Sequence, residues 1–342
     1  MPTKELKDFS INQFEEEVAQ ANLPRFRAMQ VLTWVYQKNA GSYEDMTNLP
    51  KAMRDQFESL YPLYKPSIEA RQESTDGSVK YLLKLNDGYY VETVALPAPD
   101  NRLSVCISSQ SGCAMGCVFC ATGRNGLKRN LLPGELVDQV LTVQDDFGRN
   151  VTNVVVMGQG EPFSNYDNTL SALRILNHPK LLNIGARHIT VSTCGLLSGI
   201  ERFSEEPEQF TLAISLHSAK QDVRDSIMPY LKNQKLGSLR KALENYATHT
   251  GRRFSFEYAL MKDINDSEDD LEELIRYCKR LLCHVNLIPL NSIEGSPIIP
   301  SPRKTAEFWQ KRLEDSGIAT SIRKSRGSDI SAACGQLASK YK

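Results

Sequence analysis

Three cysteines, Cys113, Cys117 and Cys120, stand in a CxxxCxxC spacing inside Gly112–Gly123, and Phe119 immediately precedes the third. Thiolates are the ligands of iron–sulfur clusters and of many structural zinc sites. The usual 4Fe-4S cubane takes four cysteines, so a local set of three leaves one iron open for another ligand. Electron delivery through an open iron is what reductive cleavage of a bound cofactor requires. A structural zinc site normally closes with a second ligand pair of similar spacing, and no second pair is present. Zinc and three merely buried thiols remain the alternatives at this point.

Further along, Gly158-Gln159-Gly160-Glu161-Pro162 follows the apolar run Val154-Val155-Val156. Glycines there can let the backbone approach a ligand at a strand end, although an ordinary strand-exit turn has the same composition. Ser192, Ser215, Leu216, His217 and Asn291 all fall at or just beyond β-rich runs. Cys106 and Cys334 lie outside the triplet, and each alone reads as a buried thiol, as do Cys278 and Cys283 beside a helical stretch. Glu92, within Tyr90-Val91-Glu92-Thr93-Val94, reads as a charge on the outer face of a strand. Local basic groups are Arg25 with Arg27, Lys128-Arg129, and Arg323-Lys324 with Arg326.

The elements that must position these residues can be read from periodicity. The first 60 or so residues are helical in pattern, with Phe26, Met29, Leu32 and Val35 three apart and Pro24 near a helix start. From Ser67 to Leu96 the pattern alternates, and Asp87-Gly88 is a hairpin signal. Pro97-Ala98-Pro99-Asp100-Asn101 reads as a linker. Beyond it, strands are expected at Asn153–Met157, His188–Ser192, Phe210–Leu216, Phe254–Leu260 and Val285–Leu290. Helices are expected at Glu135–Phe147, Leu236–His249 and Glu268–Leu281. Such alternation implies βα units around a parallel sheet or barrel, with ligands at the C-terminal strand ends. The expected division is a helical module at 1–65, a β-hairpin extension at 66–98 and a larger α/β domain at 99–342.

Composition sets bounds on partners and compartment. The 342 residues carry 41 basic and 41 acidic side chains, so no overall positive field advertises a polyanion, and any nucleic-acid contact must come from local patches. Four of the eight cysteines fall between Cys106 and Cys120, unlike a disulfide framework. No signal-peptide pattern and no membrane-length apolar run is present, which points to the cytoplasm and to no membrane partner.

The triplet, together with Val105–Gln110, Gly126–Leu131, Gly158–Pro162, Ser215-Leu216-His217 and above all Asp329–Leu337, resembles the radical S-adenosylmethionine (SAM) superfamily. More narrowly, it resembles the RlmN/Cfr family of RNA adenine methyltransferases. The resemblance implies an α/β fold, a partial (βα)6 TIM-like barrel with a small N-terminal helical accessory domain that binds RNA. It implies one 4Fe-4S cluster on Cys113, Cys117 and Cys120, and two SAM molecules per turnover. Gly160, Glu161, Ser192, Ser215, Leu216, His217 and Asn291 would surround SAM.

In the implied scheme Cys334 takes a methyl group from one SAM, and a radical derived from a second SAM activates that methyl for addition to the base. Cys106 then attacks the Cys334 sulfur to release the product, and Glu92 accepts a proton. The implied substrate is an adenosine of large-subunit rRNA, with tRNA adenosine beside the anticodon as a second one, and the electron donor is a flavodoxin or ferredoxin. Pro162 and Trp34 look closer to the RlmN type, which methylates C2, than to the Cfr type, which methylates C8. A non-catalytic iron–sulfur or zinc RNA-binding module is the alternative from another class, and it would need neither Cys106 nor Cys334.

Overall fold

The computed structural model describes residues 5–337. The N-terminal helices are α1 (Ile11–Gln20), α2 (Phe26–Leu32, continued by a π turn, Thr33–Gln37) and α3 (Lys51–Leu60). Ser10 starts α1 with a reciprocal cap: its Oγ accepts from Gln13 N–H at 3.3 Å, while Gln13 Oε1 accepts from Ser10 N–H at 2.9 Å. The three helices close over Phe9, Phe14, Tyr43, Phe57 and Tyr61, with Phe14 edge-on to Tyr61 at 5.4 Å and Tyr43 stacked on Phe57 at 6.0 Å. Of the expected stripe, Leu32 and Val35 are buried, whereas Phe26 is 65% exposed.

Next come β1 (Ser67–Glu73), β2 (Val79–Lys84), β3 (Tyr90–Pro97) and β4 (Leu103–Ile107), each antiparallel to the one before. Asp87-Gly88 makes the expected turn, with Gly88 at φ 84°. Pro97–Asn101 forms the β3–β4 turn, closed by Ala98 N–H to the Arg102 carbonyl at 2.8 Å, so the antiparallel strands and the strands that follow share one sheet.

From β4 onward the chain alternates. After a small ribbon of β5 (Gln110–Gly112) and β6 (Leu127–Asn130), with α4 (Ala121–Arg124) between them, come α5 (Pro133–Phe147), β7 (Asn153–Val156), α6 (Tyr166–Asn177), β8 (Ile189–Thr193) and α7 (Leu197–Ser204). Then follow β9 (Thr211–Ser215), α8 (Gln221–Ile227), α9 (Leu236–Thr250), β10 (Phe254–Leu260), α10 (Glu268–Cys278), β11 (Cys283–Pro289), α11 (Arg303–Asp315) and β12 (Thr320–Ile322). The ten-stranded sheet runs β1-β2-β3-β4-β7-β8-β9-β10-β11-β12, parallel from β4 to β12. This is an α/β architecture of the kind expected, with β4, β7, β8, β9, β10 and β11 each followed in the chain by a helix. The α10 helix ends three residues earlier than its periodicity suggests, because Lys279 turns extended (ψ 128°) and Arg280 takes φ 65°.

The large core lies between sheet and helices, and alternation along each strand decides which side chains enter it. In β10, Phe254, Phe256 and Tyr258 belong to that core, which leaves Ser255, Glu257 and Ala259 for the opposite face. In β4, Val105 and Ile107 face the core and Cys106 the other side.

A buried ion pair fastens the N-terminal segment to α5. Lys7 Nζ donates to Asp138 Oδ1 and to the Tyr64 carbonyl at 3.0 Å, and the two side chains are only 6% and 7% exposed. Burial raises the Asp138 carboxyl and the Lys7 ammonium opposes it. Removing one partner of such a pair leaves an uncompensated buried group. Lys7→Met should therefore cost about 3–5 kcal/mol in urea denaturation, and Lys7→Met with Asp138→Leu should recover most of it. Equal losses in the single and double variants would contradict this role.

Candidate active site

The triplet occupies the loop between β5 and α4, pinned at both ends. Cys113 N–H donates to the Gly126 carbonyl at 3.0 Å, Cys120 N–H to the Cys117 carbonyl at 3.1 Å, and Val118 N–H to the Ile227 carbonyl at 3.1 Å. All three cysteines line one cavity of about 1020 Å³, open to solvent. Burial pushes the Cys113 thiol up to about 11 and raises Cys117 further, and the neighbouring thiols add to both shifts. Cys113 and Cys117, disfavoured as thiolates, need a strongly cationic partner to become ligands, and iron is one. Among the described residues no three His, Cys, Asp or Glu side chains converge on a single-ion site. A cubane instead takes each thiolate on a separate iron, so this donor set fits the cluster.

The structure brings Gly160, Glu161, Ser192, Ser215, His217, Asn291 and Cys334 to the same cavity. Leu216 does not join them: alternation turns its side chain into the core with no exposure, and only its backbone is near, its carbonyl accepting from Arg224 Nε at 3.2 Å. The glycines of the Gly158–Pro162 turn line this cavity and also have a packing reason. A Cβ on Gly158 would lie 2.8 Å from the Ile107 carbonyl, and one on Gly160 (φ 101°) would lie 2.6 Å from Gln110 Cβ. Their lack of a side chain lets the β7 exit close against the end of β4 and the start of β5.

Glu161 is 3% exposed and caps the short 3-10 turn Pro162–Asn165. Its Oε1 accepts from Phe163 N–H at 2.9 Å and its Oε2 from Cys194 N–H at 2.7 Å. Burial raises its pKa and these N–H groups oppose that. His217, at φ 54°, accepts from Ala259 N–H through Nδ1 at 3.0 Å and stands edge-on to Phe119 at 4.5 Å. Burial pushes its pKa down to about 3, so at neutral pH the ring is uncharged, with its proton on Nε2 by inference from that hydrogen bond.

Sequence reasoning missed Glu257 as a cavity residue. It is 3% exposed, lines the cavity beside Ser215, and accepts from Asn286 Nδ2 at 2.8 Å and Arg323 Nη1 at 3.4 Å. The alternation of β10 was the available signal. Cys194 lines the cavity as well, with its Sγ 3.4 Å from Met115 Sδ.

Cys334 bridges two spaces. It lines the first cavity and also a second of about 720 Å³, whose wall includes Cys106, Val94, Met157 and Arg323. The segment around it is tied on three sides: Ala121 N–H to the Gly335 carbonyl at 2.7 Å, Thr122 Oγ1 to the Leu337 carbonyl at 2.6 Å, and Ser74 Oγ to Asp329 Oδ1 at 2.6 Å. Cys334 is exposed as a residue even though its thiol is crowded by these walls; the crowding raises its pKa and Arg323 opposes the rise. Cys106 is buried and its thiol is pushed up to about 12, first by desolvation and then by Cys334.

Glu92 is not the outer-face charge its strand pattern suggests. It is 5% exposed, pairs with Lys80 Nζ at 3.4 Å, accepts from Gln159 Nε2 at 3.4 Å, and lines a third cavity walled also by Ser331 and Gln336. The basic groups divide as well. Arg129 is forked onto Glu135 at 2.7 Å, Arg323 pairs with Glu257, and Arg326 donates to the Pro97 carbonyl at 2.6 Å, so these arginines are internal ties. Arg25, Lys128 and Lys324 remain exposed.

A thiol with so high a pKa is neutral at pH 8, and its thiolate fraction grows about tenfold per pH unit until the pKa is reached. Alkylation of the Cys106 peptide, followed by mass spectrometry, should therefore keep accelerating from pH 8 through pH 11. A plateau near pH 9 would contradict the burial described.

Comparisons with known proteins agree with this geometry. The model of the radical SAM superfamily matches residues 107–278, and that of the ribosomal RNA large subunit methyltransferase N-terminal domain matches residues 4–61. A probable dual-specificity RNA methyltransferase RlmN of Bacillus mycoides is 43% identical, over 96% of this chain and 92% of its own. The protein of the same description from Lysinibacillus sphaericus is 44% identical, over 96% of this chain and 87% of its own. The crystal structure of a radical SAM methyltransferase from Sphaerobacter thermophilus superposes with a TM-score of 0.92 at 43% identity, covering 97% of this chain and 98% of that one. With cluster loop, barrel and helical module all matched, the chain belongs to the RlmN family of the radical SAM superfamily.

Proposed function

We propose that this enzyme methylates C2 of an adenosine in 23S rRNA, and of the adenosine beside the anticodon in tRNA, through a methyl group carried on Cys334. The observation that carries the reading is the placement of Cys334: its segment is fastened across the three-cysteine cavity while its thiol shares a second cavity with Cys106. A cluster-binding protein without chemistry has no use for that juxtaposition. The superfamily brings SAM and a 4Fe-4S cluster, which together supply a 5'-deoxyadenosyl radical when reduced.

The chain's own residues then divide the work. Cys113, Cys117 and Cys120 hold the cluster. Gly160 and Glu161, Ser192, Ser215 to His217 and Asn291 surround SAM, with Leu216 contributing backbone alone. Two SAM molecules are used per turnover, the first loading Cys334. A thiolate is nucleophilic enough to accept a methyl group where an adenine ring carbon is not. Arg323, beside both thiols, favours their ionised forms. Glu92, held by Lys80 and Gln159, is the proton acceptor from the base. Cys106 resolves the protein–RNA link by forming a disulfide with Cys334. External thiols must reduce that disulfide, which suits a cytoplasmic enzyme.

Residues 1–65 serve as the RNA-binding accessory domain, 66–98 as the β extension that seats the Cys334 segment, and 99–342 as the catalytic domain. A flavodoxin or ferredoxin supplies the electron. Among the described residues no helix is long and apolar enough to cross a membrane. The test is nucleoside mass spectrometry on rRNA and tRNA from cells lacking the enzyme, after incubation with reconstituted protein, SAM and a reductant. We expect 2-methyladenosine from both. Only 8-methyladenosine would move the chemistry to the Cfr type, and no methylated adenosine would overturn the reading.

A further inference from the structure

The three-cysteine loop has two sides. On one, Ala121 and Thr122 are covered by Gly335 and Leu337 of the Cys334 segment. On the other, Val118 N–H donates to the Ile227 carbonyl at 3.1 Å, and a Cβ on Gly116 would stand 3.7 Å from Pro229 Cγ. The residues between are a short bridge from cavity to surface: Met228 lines the site and is 1% exposed, whereas Tyr230, two positions later, is 60% exposed. Val118, lying between two cluster cysteines, is 39% exposed. Lys232 and Lys235 follow Tyr230 two and five positions later; both are exposed, and neither forms an ion pair among the described residues. The carboxylates nearest in sequence are on α8, where Asp225 accepts from Gln221 Nε2 at 2.8 Å and Asp222 is exposed.

We infer that Val118, Tyr230, Lys232 and Lys235 form the docking face for an acidic one-electron carrier protein. An aromatic and an aliphatic side chain give the apolar centre that a small transient interface needs, and two unpaired ammonium groups give the complementary rim. The placement sets it apart from an RNA contact. This face abuts the Gly116–Val118 side of the loop, which includes Cys117, and not the Cys334 side that the base must reach. The step it serves is a single electron transfer in which the reduced carrier loses one electron and the cluster gains it, with no bond broken between the proteins.

The inference rests on the proposed function only for its need of an outside electron. The test uses holoenzyme and an acidic flavodoxin as the probe. Calorimetric titration should show Lys232→Glu/Lys235→Glu binding flavodoxin about tenfold or more weakly at low ionic strength, with the gap closing as salt is added. Stopped-flow absorbance should show a matching fall in the rate of cluster reduction by flavodoxin hydroquinone, with reduction by dithionite unchanged. Tyr230→Ala should weaken binding without that salt dependence. Equal flavodoxin affinity in wild type and the double variant overturns the proposal, as does loss of RNA affinity in place of flavodoxin affinity. If wild-type protein given dithionite and SAM releases no 5'-deoxyadenosine, the functional reading itself fails, which is a separate result.

Discussion

Two hydrogen bonds, from Ala121 N–H to the Gly335 carbonyl and from Thr122 Oγ1 to the Leu337 carbonyl, lay the C-terminal segment across the mouth of the cluster loop. The chemistry proposed for Cys334 depends on this contact, because nothing local in its sequence brings it near Cys113, Cys117 or Cys120. The second anchor is remote from the first. Asp329 accepts from Ser74 Oγ and from Thr75 N–H, and Gly327 N–H donates to Asp76, so the β1–β2 turn holds the segment's other end. The antiparallel strands thus act as a bracket for a loop more than two hundred residues later in the chain.

That arrangement explains why three cavities meet around one segment. Cys334 looks into the space of the cluster cysteines and into the space of Cys106, while Ser331 and Gln336 of the same segment wall the polar space holding Glu92 and Lys80. A thiol so placed faces the three-cysteine cavity and Cys106 at once. The barrel supplies the rest through strand alternation: Cys106 in β4 and Glu257 in β10 face inward because their neighbours Val105, Ile107, Phe256 and Tyr258 fill the core.

What the sequence made legible follows the range of the interactions. The three cysteines proposed as cluster ligands were readable as a set because all sit in one loop, and β10 was readable because Phe254, Phe256 and Tyr258 alternate cleanly. That the Leu216 side chain enters the core could have been read from the same period of two that turns Ser215 the other way. The burial of Glu92 was not readable, since it depends on Gln159 and on a C-terminal segment packed over β2 and β3. The same holds for Arg129, Arg323 and Arg326, whose partners Glu135, Glu257 and Pro97 are found only in the fold. The glycines of the Gly158–Pro162 turn were read as a close approach to a ligand; the fold adds that they also approach Ile107 and Gln110, which the sequence did not show.

The central claim is that Cys334 links covalently to RNA and that Cys106, across the shared cavity, releases it. Removing the resolving thiol should leave loading and radical addition intact and block release alone. The direct measurement is denaturing electrophoresis of Cys106→Ala enzyme isolated with its RNA, with and without ribonuclease, beside the Cys106→Ala/Cys334→Ala variant. The account expects a ribonuclease-sensitive shifted band in the single variant that vanishes in the double one. A single variant without that band, showing only the roughly 1 kcal/mol destabilisation of a truncated packed cysteine, or a band that persists without Cys334, would contradict it.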